Sequence, residues 1–420
     1  MADPVAGERA TRERLLGWYR RNRARSRQIF ELLDPSAYET RPAGWQRPVA
    51  FYEANLAAFT VNTYIRVGLG WPGVDDRLDR LFAGDDAAAE QPSNWPSRGE
   101  VLEYAARADA ILADALADAP LAIDDRPAMR RGQALFAALE REAMRHEALL
   151  AKWHQLPYEM KRRPRDYAVT PGGSAPPPFR VRVPAGRARL GAMRDEIPFG
   201  WDNEFPAHEI HVPAFDLDTY NVTNEAYLAF VEAGGAAPAF WRRRDGRWFW
   251  RGQFEEIPLP PSWPVYVTRT DAEAYARWSG GRLMSEAEFH RAAYGSPGGP
   301  ERPQPWGSEA ANATRGNLDF LSFDPLPVGT FPHGASAFGV RDLVGNGWEW
   351  TATSFGPFPG FEPMAACPQH SVPFFAGAHA VLKGASPVTA RELARRSFRH
   401  WAPPDEPWVY ATFRCAYELP

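Results

Sequence analysis

Thr170-Pro-Gly-Gly-Ser-Ala-Pro-Pro-Pro178 divides the chain into two stretches of different character. Proline removes backbone donors and glycine resists ordering, so this run reads as a connector. With Lys161-Arg-Arg-Pro164 just before it, a Pro/Gly-rich linker is predicted over residues 161–189. Upstream, residues 1–160 are rich in Ala, Arg and Leu. Four helices are predicted there, over 11–33, 49–67, 97–118 and 125–155. The third opens on Ser97 and Glu100 at capping-box spacing, and the fourth on Asp125-Arg-Pro127, an N-cap followed by a first-turn proline. Four helices of this length form an antiparallel bundle by the usual packing rules. Downstream, residues 190–420 carry short apolar runs, many tryptophans, and Gly/Pro punctuation. Helices are expected only at 271–278 and 285–294, so this part reads as an α+β domain held by buried aromatics.

Composition narrows the class. The 420 residues are 45% hydrophobic and 24% charged, values of a globular protein. A net charge of -4 gives no footprint for nucleic acid. No stretch approaches the ~18 apolar residues of a membrane span, and residues 1–14 do not read as a secretory signal. Two cysteines, Cys367 and Cys415, make neither a disulfide framework nor a four-cysteine zinc site, so a cytoplasmic protein is expected.

The downstream part contains, in order, Trp201-Asp-Asn-Glu204, Asn221-Val-Thr-Asn-Glu225, Ala274-Tyr-Ala-Arg-Trp278, Gly280-Gly-Arg-Leu283, Ser285-Glu-Ala-Glu288, Pro305-Trp-Gly307, Gly345-Asn-Gly-Trp-Glu-Trp350 and Phe413-Arg414. Together they resemble the formylglycine-generating-enzyme (sulfatase-modifying) domain, a C-type-lectin-related fold. Upstream, Phe51-Tyr-Glu-Ala-Asn-Leu-Ala-Ala-Phe59, Arg141-Glu-Ala-Met-Arg-His-Glu-Ala-Leu-Leu150 and Trp153-His-Gln-Leu-Pro157 resemble the ergothioneine sulfoxide synthases (EgtB-type), closest to a selenoneine-synthase-like subgroup. The resemblance implies a DinB-like four-helix bundle followed by that α+β domain. It also implies a non-haem iron and an oxygen-dependent union of a thiol or selenol with trimethylhistidine.

This sequence departs from that pattern at the metal. The family holds iron with one histidine on the second helix and two at i,i+4 on the fourth, a spacing that puts both on one face about 6 Å apart. The corresponding positions here read Asn55, Arg141 and Arg145, while the motif glutamates Glu142 and Glu147 remain. A guanidinium has no lone pair to give and repels a cation, so no iron is expected at this place. His146 and His154 lie two turns apart, too far for one metal to take both. Glu142 and His146, one turn apart on the stripe Leu135, Leu139, Glu142, His146, Leu149 and Trp153, read as a buried or half-buried hydrogen-bonded pair, as a simple exposed pair, or as an acid-base pair or relocated metal site with substitute ligands for Fe(II).

Arg141 and Arg145 share the next stripe with Ala134, Ala138, Ala148 and Lys152. They read as a solvated or internally paired basic face, or as a site for a carboxylate or phosphate. Arg77 and Arg80 read as a surface cluster with Asp76 and Asp79; the resemblance implies substrate-carboxylate contacts instead. In Arg395-Arg-Ser-Phe-Arg-His-Trp401 the resemblance implies an active-site segment, with His400 where Asn is usual. There Trp401 is either a pocket wall for a trimethylammonium group or an ordinary core residue. The two cysteines that formylglycine generation needs are absent from it, and Cys415 reads as buried and inert. Asn346 and Glu349 match a structural calcium position. Met284, His290, Ala385 and Pro387 also depart from the family pattern.

Two functions stay open. One is a homologue with a degenerate iron site, acting as a binding protein for a small-molecule or anionic ligand in the cleft between the two parts, or beside an active paralogue. The other is an active oxygenase with substitute ligands.

Overall fold

The computed structural model describes residues 4–41, 47–84 and 95–419 and divides into two units. The first comprises Met1–Pro164 together with Met364–Pro368, and the second Arg165–Pro363 with Gln369–Pro420. A helical N-terminal unit and an α+β C-terminal unit therefore both stand as expected. No helix among the described residues is long and apolar enough to cross a membrane.

In the first unit four long helices carry the core: α1 (Pro4–Glu31), α2 (Val49–Thr60), α4 (Arg98–Asp118) and α5 (Gln133–Gln155), with the short α3 (Asp76–Leu81) between α2 and α4. α1 packs on α4 and α5, and α2 packs on α4 and α5. α2 is buried on nearly every side, which its run of apolar and small residues permits. It continues as π-helical turns over Val61–Leu69 and stops at Gly70, whose φ of 71° suits glycine. The capping box at α4 is present: Glu100 N donates to Ser97 Oγ at 3.3 Å, and Ser97 N donates to Glu100 Oε2 at 2.8 Å. The predicted start of the fourth helix is corrected. Pro127 opens a 3-10 segment, Pro127–Gly132, and α5 begins only at Gln133. Arg131 and Gly132 take φ of 56° and 72°, which breaks the helix between Asp125 and Gln133.

The second unit places β1 (Arg180–Val183), β4 (Phe215–Asp218), β13 (Cys415–Tyr417) and β8 (Arg282–Leu283) in one antiparallel sheet. A second sheet has the order β11 (His400–Ala402), β10 (Ala380–Ala385), β9 (Gly347–Ser354), β12 (Ala411–Thr412), with β12 parallel to β9. A hairpin of β2 (Gly186–Leu190) and β3 (His208–Val212) and a meander of β5 (Trp241–Arg244), β6 (Arg247–Arg251) and β7 (Glu256–Pro258) complete the strands. α6 (Asn224–Glu232), α7 (Arg269–Trp278) and α8 (Glu286–Tyr294) are the helices of this unit, the last two close to their predicted bounds. Trp201, Trp250, Trp263, Trp348 and Trp350 are fully buried, which accounts for an aromatic-rich sequence with so little regular structure.

The linker over 161–189 does not hold as a free connector. Lys161 bridges to Leu33 in the first unit, while β1 and the start of β2 lie inside the predicted linker. Tyr167 donates to Asp324 Oδ2 at 2.6 Å, and Trp263 Nε1 donates to Thr170 O at 2.9 Å. The proline run is thus a strap fixed to the second unit: poor in donors of its own, it is held partly by a donor to its Thr170 carbonyl and partly by the Tyr167 hydroxyl and the Ala175 N–H.

Candidate functional site

α5 supplies two stripes with different fates. On the inner one, Glu142 is 2% exposed and accepts hydrogen bonds from Arg23 Nη1 at 2.8 Å and Ser26 Oγ at 2.6 Å. Ser26 Oγ also lies 2.8 Å from His146 Nε2. Ser26 therefore bridges the pair, and Arg23 neutralises the carboxylate from α1. Burial pushes the Glu142 carboxyl up against the pull of Arg23, and pushes the His146 imidazole well below its ordinary range. Arg23 extends the network to Asp109, which also accepts from Tyr19. Arg23, Ser26, Glu142 and His146 Nε2 are joined in one hydrogen-bonded network. To serve as iron ligands, Glu142 and His146 would have to give up this network, in which Arg23 and Ser26 hold the Glu142 carboxylate.

On the next stripe Arg141 and Arg145 are half-buried rather than solvated. The Arg141 guanidinium stacks over the Phe59 ring at 4.8 Å, and burial pulls it down from its ordinary value, opposed by the nearby Cys367 thiol. Arg145 is likewise pulled down by burial, with Tyr52 opposing. Burial raises the Tyr52 phenol, while Arg145 and Arg47 act to lower it. Arg47 in turn lies over Phe51 at 5.3 Å and Trp95 at 5.8 Å. Tyr52, Asn55 and Phe59 fall at 3-4 spacing on α2, so one helix face meets these arginines. Asn55 Nδ2 donates to Phe82 O at 2.8 Å.

The donor set at these three positions does not suit a ferrous ion. Two guanidinium groups offer no lone pair, and the Asn55 amide is turned to a backbone carbonyl. Among the described residues no group of three His, Cys, Asp or Glu side chains stands close enough to hold a metal ion. What the arrangement offers is positive charge against aromatic faces under partial desolvation, where an anion is bound more strongly than at an open surface.

Arg77 and Arg80 are exposed on α3. The expected partners Asp76 and Asp79 pair instead with Arg66, whose Nη2 is 2.7 Å from Asp79 Oδ2. In the second unit Trp401 stacks on Phe355 at 4.4 Å and meets the His370 ring edge-on at 5.2 Å, while His370 stacks on Trp201 at 3.6 Å. His400 lies 4.9 Å from the Trp348 ring, and burial pushes its imidazole down to about 4. The expected calcium ligands are committed elsewhere. Both Glu349 oxygens accept from Arg414, at 2.8 and 2.6 Å, and the Asn346 amide pairs with Asn317 and with both backbone groups of Leu326. A cation there would have to displace a fully buried guanidinium. Cys415 is buried, with its thiol pushed up to about 12.

Several participants were not legible as site residues. Tyr52 and Phe59 carry a usable signal, since they flank Asn55 at helical spacing. Arg47, Ser26, Arg23 and Cys367 carry none, because distant segments bring them in. In the second unit the segment 395–399 joins a buried network: Arg395 and Ser397 bind Glu204, and Arg399 binds Glu286 at 2.9 and 3.1 Å.

The sulfatase-modifying factor enzyme 1-like domain matches residues 167–419. The chain belongs to that family. Within this sulfatase-modifying family it is similar to the hercynine oxygenases of Mycolicibacterium thermoresistibile, 38% identical over 55% of this chain, and Mycobacterium tuberculosis, 37% identical over 55%. Those matches span 56% and 59% of the two relatives, a little over half their length. It is also 32% identical to the inactive C-alpha-formylglycine-generating enzyme 2 of Mus musculus, over 44% of this chain and 72% of that one. The family model and these relatives support an EgtB-like chain with a formylglycine-generating-type domain.

Proposed function

We propose that this chain is a homologue of the iron-dependent sulfoxide synthases of ergothioneine or selenoneine biosynthesis in which the iron position has become a basic ligand site. It acts as a binding protein for a small anionic molecule rather than as an oxygenase. The observation that carries the reading is the substitution geometry: Arg141 and Arg145 stand half-buried on one face of α5, opposite Tyr52, Asn55 and Phe59 of α2. The DinB-like identity of the helical unit and the lectin kinship of the second belong to the same reading, as does a reducing cytoplasmic setting, which suits two cysteines that are not joined in a disulfide. An active paralogue would be its natural companion.

An active oxygenase using Glu142 and His146 is favoured by kinship to the hercynine oxygenases and opposed by the Arg23 ion pair and the Ser26 bridge. One experiment separates the two. The protein is loaded anaerobically with ferrous salt, desalted and assayed for metal, and oxygen uptake is followed with trimethylhistidine and a thiol or selenol. Substoichiometric iron and no uptake are expected; one iron per chain with uptake overturns the proposal. Calorimetric titration with sulfate should show binding to the parent protein that is lost in Arg141→Ala/Arg145→Ala. Equal heats in both would remove the basic site.

A further inference from the structure

The second unit contains a cavity of about 780 Å³ that no residue discussed above as a functional candidate enters. Its walls are the proline strap, the ends of β1, β4 and β13, and the first turn of α6. Four aromatic residues line it: Phe179, Tyr220, Tyr275 and Tyr417. The strap is tied down on both sides, since Ala175 N donates to Glu225 Oε2 at 2.9 Å and Thr219 N donates to Phe179 O at 2.9 Å.

Two features point to a ligand. Asn221, only 3% exposed, lines the cavity with both its amide oxygen and its amide nitrogen lacking a hydrogen-bond partner. An unpaired buried amide is costly, and an incoming donor or acceptor removes that penalty. The second feature is charge. The lining carries two carboxylates, Asp218 and Glu225, against one guanidinium, Arg180. Arg180 marks the seat itself: its guanidinium lies 3.3 Å from the centroid of Tyr417, with Nε 3.6 Å from Asp218 Oδ1, although the side chain is about half exposed. A flat cation is thus accommodated between an aromatic face and a carboxylate, and its present occupant has solvent to retreat into.

We propose that this cavity is a binding site for a planar aromatic cation of the amidinium or guanidinium type. The ring stacks among the tyrosines, the charge takes the place of the Arg180 guanidinium beside Asp218, and an N–H of the ligand satisfies Asn221 Oδ1. Anions are excluded by Asp218 and Glu225.

The test uses benzamidine, benzamide and benzoate, three molecules of one shape and three charges, titrated against the full chain and followed by ligand-observed NMR. Benzamidine is expected to bind at least about tenfold more tightly than benzamide, and benzoate not at all. Asp218→Asn should remove the preference for benzamidine, and Asn221→Leu should weaken both benzamidine and benzamide. Should either variant fail to fold, Ala226→Trp serves instead. Ala226 is exposed on α6 at the cavity wall, and the indole should abolish binding with the melting temperature preserved. Indifference to charge among the three probes, or benzamidine affinity unaltered in Ala226→Trp, overturns the proposal.

Discussion

Arg414 and Glu349 are both wholly buried and joined by two hydrogen bonds, and Arg414 also donates to the carbonyls of Thr219 and Arg341. Removing one charge strands the other. Glu349→Gln is therefore expected to lower the unfolding free energy by about 3–5 kcal/mol, measured by urea denaturation at neutral pH. Replacing both with apolar residues of similar volume should cost less than either single change. The histidines give a second expectation. Burial holds His146 and His290 well below 6.5 and His400 at about 4. In the unfolded chain each takes up a proton near 6.5, and in the folded chain it resists. Stability is then full above 6.5 and falls as the pH drops from about 6.5 towards 4. His400→Gln should flatten part of that decline in unfolding midpoints taken between pH 7 and 4. At this scale Asn55, Arg141 and Arg145 are legible through the resemblance to the sulfoxide synthases, and i,i+4 spacing then puts the two arginines on one face of α5. The Ser26 bridge and the Arg414–Glu349 pair are not, because each joins residues far apart in the chain.

Helices announce their ends better than strands do. Ser97 and Ser285 each cap a helix with a glutamate three residues on, and both boxes are formed. Ser97→Ala leaves Glu100 N without its side-chain acceptor. It is expected to cost about 1 kcal/mol, seen as a shift of the urea midpoint with unchanged slope. The start of α5 shows the opposite case. Asp125 and Pro127 have the right chemistry for a helix opening, yet positive φ at Arg131 and Gly132 delays the helix to Gln133. Local propensity names a turn there but not its length. The strands β1 and β2 stayed hidden for a related reason. Arg180-Val-Arg-Val183 is four residues long, begins one residue past a proline run, and gains its partners from β4. A composition reading weighs the prolines and passes over the strand.

The whole molecule is built from two units, and the helical one is discontinuous. Met364–Pro368 belongs to it, Met364 is 2% exposed, and Ala366 packs on the core formed by Leu15, Trp18, Tyr64, Leu112 and Leu135. Met364→Ala is expected to cost about 2–5 kcal/mol, with hydrogen exchange in α1 and α5 accelerated before that in β9 and β10. No pattern in the first 160 residues betrays this need, since the segment that fills it lies far downstream. A nascent chain emerging from the ribosome meets the consequence. The helical unit leaves the exit tunnel ahead of the second unit and stays incomplete while about 200 further residues are translated, and closing that span carries an entropic cost. Cys367 reaches Arg141 only at that late moment, so the basic face opposite α2 acquires its finished form after most of the second unit has been synthesised.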